Sequence, residues 1–205
     1  MGTKQKILEE ALTLFSEKGY ANVFVGEIAE RVGIRAPSLY KHYRNKQAIF
    51  DAIIGEMHRR FLEQAKLLHI QGDNPATDAE IYRGLPAEAL VRLGIDLFLY
   101  QLHDDYTRRI RKMLTIEQFH NRDLADTYTR QYMDGPMEYH RLLLKQAVDQ
   151  GVLQADNVEV MTLQFYAPFY TLMTVCDRNP GREADAVRIL EEHIRQFNRL
   201  YRRSI

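Results

Sequence analysis

A chain of 205 residues with one cysteine, no tryptophan and a formal net charge of zero excludes several classes at once. The lone Cys176 rules out an internal disulfide and a cysteine zinc site and suits a reducing interior. No run approaches the ~18 consecutive apolar residues of a membrane span, and Glu9 and Glu10 interrupt the N-terminal apolar pattern where a signal peptide would be uncharged. The expectation is a cytoplasmic protein with no membrane partner.

The zero balance averages two unlike parts. Residues 1–69 hold 11 Lys and Arg against 8 Asp and Glu; residues 70–205 hold 17 against 20. Between Arg31 and Lys46 there are five basic residues and no acidic one, so positive charge is concentrated where a phosphate backbone would be met.

The elements read as helices throughout. Ile7, Leu8, Ala11, Leu12 and Phe15 form one stripe, with Thr3 as N-cap and Gly19 as terminator. Val25, Ile28, Ala29 and Val32 form a short second stripe ended by Gly33. A third helix begins near Pro37, a residue at home in a first turn. From Lys46 to about His69 runs a long helix with Ile49, Ile53, Met57 and Phe61 inward. QGDNPAT, residues 71–77, is turn chemistry. Helices follow over 86–103, about 105–120 and 122–133, then, beyond Gly135-Pro136, over 137–150, 158–177 and 182–203. The helices at 86–103 and 158–177 are apolar nearly all round, which implies burial on several sides.

Residues 19–50 carry the most specific pattern. A short helix, a glycine turn and a second short helix is the layout of a helix-turn-helix, whose second helix enters the DNA major groove. Ala29 is small where the helices cross, Gly33 can take the positive φ of the turn, and Ile34 and Leu39 anchor the second helix. The expected DNA-facing set is Arg35, Ala36, Pro37, Ser38, Tyr40, Lys41, His42 and Tyr43, with Lys46 at the next helix start.

The run IAERVGIRAPSLYKHYRNKQAIFDAI resembles the N-terminal DNA-binding domain of the TetR family of transcriptional repressors, over about residues 3–55. The resemblance implies an all-α protein: a three-helix DNA-binding domain over 1–46, and a helical ligand-binding and dimerisation bundle over 47–205, connected by the helix 46–69. It also implies a homodimer on a near-palindromic double-stranded DNA operator, released by a small, largely apolar effector, with no enzymatic activity and no cofactor. Ser38, Tyr40, His42 and Lys46 match positions that contact phosphates or bases. The chain departs from the family pattern at Val23-Phe24, where Thr or Ser usually caps the second helix, and at Arg35, where Ser or Thr is common.

Eight of the twelve tyrosines lie within residues 82–170. The ligand-lining candidates are Phe98, Gln101, Met113, Glu117, His120, Tyr139, Tyr166 and Tyr170, apolar rings with a few polar handles. Glu117-x-x-His120 is half of a di-metal pattern whose second half is missing, so no metal is expected. Pro168 should kink its helix. The helices near 137–150 and 158–177 are the expected dimer interface, as a four-helix arrangement about a two-fold axis. The competing readings are a helical sensor that has lost DNA binding, with Val23-Phe24 as its motive, and a helical enzyme.

Overall fold

The computed structural model describes residues 2–203, and among them it holds eleven α-helices and no strand. In chain order these are α1 (Thr3–Lys18), α2 (Val25–Val32), α3 (Ala36–Tyr40), α4 (Lys46–Leu67), α5 (Pro75–Gly84), α6 (Ala87–His103), α7 (Asp105–Glu117), α8 (Arg122–Thr129), α9 (Gly135–Asp149), α10 (Val158–Arg178) and α11 (Glu183–Tyr201). Two compact units emerge. One is the chain up to Arg60 together with Asp105–Tyr128; the other is Phe61–Asp104 together with the chain from Thr129 onward.

The first unit is built on the stripes seen in the sequence. Ile7, Ala11, Leu12 and Phe15 of α1, Ile28 and Ala29 of α2, Leu39 of α3 and Ile49, Phe50 and Ile53 of α4 are all buried. Each such aliphatic or aromatic side chain contributes about 1.5–3 kcal/mol on leaving water. Helix α7 adds Ile110, Met113 and Leu114 and packs along α1. A charged strip binds the same three helices. Arg60 of α4 bridges Glu9 of α1 at 3.0 Å, and Arg109 of α7 reaches Glu9 at 3.3 Å and the Thr13 hydroxyl at 3.0 Å. Grouping by packing thus puts α7 and α8 with the N-terminal helices, where grouping by sequence motif separates residues 1–46 from the remainder.

The second unit packs α5 on α9, α9 on α10, and α6 and α10 on α11. Its core includes Leu144, Ala147, Leu153, Met161 and Phe197. Two sequence expectations change here. Residues 71–77 are not all turn: α5 starts at Pro75, with the Asn74 side chain accepting from Thr77 N–H at 3.1 Å. Asn, Pro and an early Asp are turn residues and equally a helix N-terminus. Nor does Gly135-Pro136 end a helix. Residues Arg130–Asp134 form a π-helical turn that carries α8 on into α9, because Pro136 withholds one N–H and the ladder widens to absorb the loss.

Candidate nucleic-acid interface

Gly33 makes the turn. It sits at φ 81°, ψ 31°, in the left-handed region, and its N–H bonds Glu30 O at 3.0 Å while that of Ile34 bonds Ala29 O at 2.9 Å. This crossed pair is a Schellman termination. Lys6 of α1 donates to the Val32 carbonyl at 3.0 Å and completes the end of α2. A Cβ at Gly33 would meet nothing within 4 Å, so the demand for glycine is torsional and not steric.

Helix α3 has five residues, far below the ~12–15 at which a helix holds alone. Leu39, fully buried, fastens it to the rest of the unit, and Ile34 is half-buried beside it. Arg35 occupies the N-cap position with extended torsions and makes no side-chain cap. The Ser38 and Leu39 N–H groups bond instead to the Arg35 carbonyl at 2.8 and 3.2 Å.

What this arrangement exposes is positive and unpaired. Arg35, Pro37, Tyr40, Lys41, His42 and Arg44 are exposed, and Ala36 and Ser38 half-buried. Other cations of the unit do have carboxylate partners: Arg31 has Glu10 at 3.0 Å and Lys18 has Glu27. Among the described residues Arg35, Lys41, His42 and Arg44 have no such partner. Arg44 was absent from the sequence-derived set, although it lies within the same basic run. Unneutralised cations beside a helix able to enter a groove are what phosphate and base contacts require.

Two expected members of the set sit otherwise. Tyr43 is buried, with Lys4 Nζ 5.6 Å from its ring centroid, and burial, then the Glu56 charge, raise its hydroxyl pKa. The Lys46 ammonium points inward: it donates to the carbonyls of Tyr20 at 2.8 Å, Val23 at 2.9 Å and Ala21 at 3.4 Å, and lies 4.4 Å from the Tyr20 ring centroid. An ammonium has three N–H donors, and all three are engaged. Burial lowers the Lys46 pKa, and Glu117 partly restores it.

Tyr20 is the centre of this side of the unit. Its ring meets Phe15 and Phe50 at 5.0 and 5.3 Å, its hydroxyl bonds Gln47 Oε1 at 2.9 Å, and its N–H bonds Glu117 Oε1 at 3.0 Å. Val23 is fully buried and Phe24 stands exposed at the N-cap of α2 with no side-chain cap.

The eight ligand-lining candidates divide between the units. Met113, Glu117 and His120 belong to the first; Phe98, Gln101, Tyr139, Tyr166 and Tyr170 belong to the second. Met113 and Glu117 are buried and His120 is exposed beyond the end of α7. Glu117 is committed to the Tyr20 turn, a contact between residues 97 apart that no local pattern signals. Tyr139 donates to Asp78 Oδ2 at 2.6 Å, and the same carboxylate takes the N–H groups of Gln71 and Gly72 at 2.8 and 2.9 Å. That tyrosine therefore staples the turn before α5. Among the described residues no group of three or more His, Cys, Asp or Glu could hold a metal ion, and no helix is long and apolar enough to cross a membrane.

Together these features define a helix-turn-helix domain with an uncompensated positive face, continued by a second helical unit. Residues 7–53 match the pattern of the bacterial regulatory proteins of the tetR family. The chain is 24% identical over 192 residues to YttP of Bacillus subtilis strain 168, named a probable HTH-type transcriptional regulator, covering 84% of this chain and 88% of that one. It is 39% identical over 75 residues to IcaR of Staphylococcus epidermidis, the negative transcriptional regulator of the biofilm operon icaADBC, covering 37% of this chain and 40% of that one. Its fold is shared with SmeT, the repressor of a Stenotrophomonas maltophilia multidrug efflux pump. The TM-score is 0.69 at 20% identity, over 100% of this chain and 92% of SmeT; for the SmeT–triclosan complex it is 0.73 at 21% identity, over 100% and 93%. Residues 7–53 thus carry the DNA-binding pattern of the tetR family, and over most of its length the chain is similar to an HTH-type transcriptional regulator.

Proposed function

We propose that this regulator is a repressor that binds a near-palindromic operator as a homodimer in the cytoplasm and leaves it when a small, largely apolar effector occupies the C-terminal unit. The observation that carries the DNA-binding part is the exposed, unpaired set Arg35, Lys41, His42 and Arg44 around α3. Arg35 is the candidate for a bidentate base or phosphate contact, and Ser38, Tyr40 and Lys41 are neighbours on the same short helix. Phe98, Gln101, Tyr166 and Tyr170 are the candidate effector contacts. Repression is supported by the negative regulator IcaR, and the binding of a small aromatic effector by a SmeT complex with triclosan.

The dimer reading shifts within the second unit. Val160 and Leu163 of α10 and Ile189 and Leu200 of α11 are large apolar side chains left 41–58% exposed. A two-fold axis bringing α10 and α11 against their copies covers this face, so α11 joins α9 and α10 as a candidate interface helix. Leu163→Glu is the test of that surface, read by sedimentation: a variant that stays dimeric removes it from the interface.

Footprinting on DNA upstream of the gene, with and without candidate aromatic effectors, tests the whole reading. A protected palindrome spaced for two copies of α3, about 34–36 Å apart, is the expected result; no protection at low salt overturns it. The competing sensor reading has one observation in its favour, the missing side-chain cap at Phe24, and predicts effector binding with no footprint.

A further inference from the structure

We propose that Glu117 is a positioning residue for DNA binding: its carboxylate latches the α1–α2 turn, and through it residues 105–128 set how the Gly33–Arg44 element is presented. The inference rests on the DNA-binding reading above.

The turn from Gly19 to Phe24 feeds directly into α2, and α2 ends at Gly33. Whatever fixes the start of α2 therefore fixes the position of α3. In most helices a Ser, Thr, Asp or Asn side chain does this locally; here Phe24 cannot, and the helix has no side-chain cap. Two distant groups act in its place. Glu117 Oε1 takes the Tyr20 N–H at 3.0 Å from one side, and Lys46 Nζ bonds the Tyr20, Ala21 and Val23 carbonyls from the other. The two side chains attract each other, since Glu117 raises the Lys46 pKa against burial.

The chain leaves room for the latch. Gly19 has φ 83°, and a Cβ there would come within 2.5 Å of Glu117 Oε1. Glu117 is only 7% exposed, so losing it leaves a Tyr20 N–H that water reaches poorly. Helix α7 is held at its other end by Arg109 to Thr13 and Glu9. Both ends of the 105–128 segment continue directly into the second unit, at Asp104 and Thr129.

The test uses the full chain and a duplex selected by the wild-type protein from a random-sequence library, with amide exchange as the second readout. Glu117→Ala is expected to speed exchange at residues 19–25, leave the cores of α1 and α4 unchanged, and weaken duplex binding about tenfold. Glu117→Gln, which keeps an acceptor oxygen, is expected to recover part of both, and it supplies the measurement should the alanine variant fail to fold. By reciprocity, adding duplex slows exchange of the wild-type Tyr20 amide. Wild-type duplex affinity in Glu117→Ala overturns the proposal. So does faster exchange spread evenly over the whole unit, which assigns Glu117 to stability alone. Failure of the wild type to select any duplex refutes the DNA-binding reading, a result distinct from either.

Discussion

The Tyr166 hydroxyl donates at 2.8 Å to the main-chain carbonyl of Tyr132, the oxygen that would take the N–H of residue 136 in an α-helix. Residue 136 is proline and has none. A side chain of α10 thus supplies the bond that the π-helical turn before α9 lacks. Helix α10 holds a proline of its own, Pro168, whose missing N–H would have gone to the Gln164 carbonyl; His193 of α11 bonds the neighbouring Phe165 carbonyl at 3.0 Å. Tyr166→Phe keeps the ring and removes the donor, so it should cost about 1–3 kcal/mol, read from urea unfolding. In a Pro136→Ala background the backbone donor returns, and the same substitution should cost less. Equal costs in both backgrounds would mean that the hydroxyl does not stand in for the missing N–H.

Gly19 and Gly33 both have positive φ, yet they should respond differently to alanine. At Gly33 the added Cβ meets nothing, leaving only the torsional cost of about 1–2 kcal/mol. At Gly19, φ 83° and ψ 150° lie in a region open essentially to glycine alone, and the Glu117 oxygen at 2.5 Å adds a steric contact. Gly19→Ala should be the more damaging by about 1 kcal/mol or more, by thermal or urea unfolding. A Glu117→Ala background should remove the part of that excess that comes from the contact and leave the torsional part.

Salt dependence separates the cations that meet phosphate from those that hold the fold. Arg44 is exposed and without an ion pair among the described residues, so Arg44→Ala should lower the log–log salt slope of duplex binding by about one. Lys46 spends its donors on three carbonyls. Lys46→Met should leave the slope unchanged and lower stability by about 1–3 kcal/mol. A slope change in Lys46→Met would return that residue to the phosphate contacts.

These residues also show what a sequence can reveal. The α1–α3 stripes, the Gly33 turn and the Leu39 anchor follow local spacing, and they stand where that spacing puts them. Glu117 could not be read the same way, because Glu-x-x-His on a helix looks alike whether it faces a ligand or a turn 97 residues earlier. Asn74-Pro75 was ambiguous for a different reason: a turn and a helix start draw on the same residues. At Gly135-Pro136 the breakers were legible, but the tyrosine that repairs the break comes from another helix.

His140 makes the stability of the second unit depend on pH. Its Nδ1 lies 2.7 Å from the Pro136 carbonyl; a carbonyl only accepts, so Nδ1 carries the proton. The ring stacks on Tyr166 at 5.4 Å between centroids and meets Tyr139 edge-on. Burial pushes its pKa down from 6.5 to about 4, against a smaller opposing effect of the Pro136 bond. The unfolded chain takes up this proton near 6.5 and the native chain only near 4, so between those values the unfolded state binds more protons. Stability from this group is therefore complete above pH 6.5 and is lost as pH falls towards 4. The ring is half-buried, and the loss should be about 2 kcal/mol once solvent screening is allowed for. His193, whose pKa burial also lowers, pulls the same way and needs its own control, His193→Gln. His140→Phe removes the side-chain donor to the Pro136 carbonyl and should be weaker at every pH, but its urea midpoint should fall less steeply from pH 7 to 4.5. Parallel curves for wild type and His140→Phe would exclude His140 as the source of the acid sensitivity.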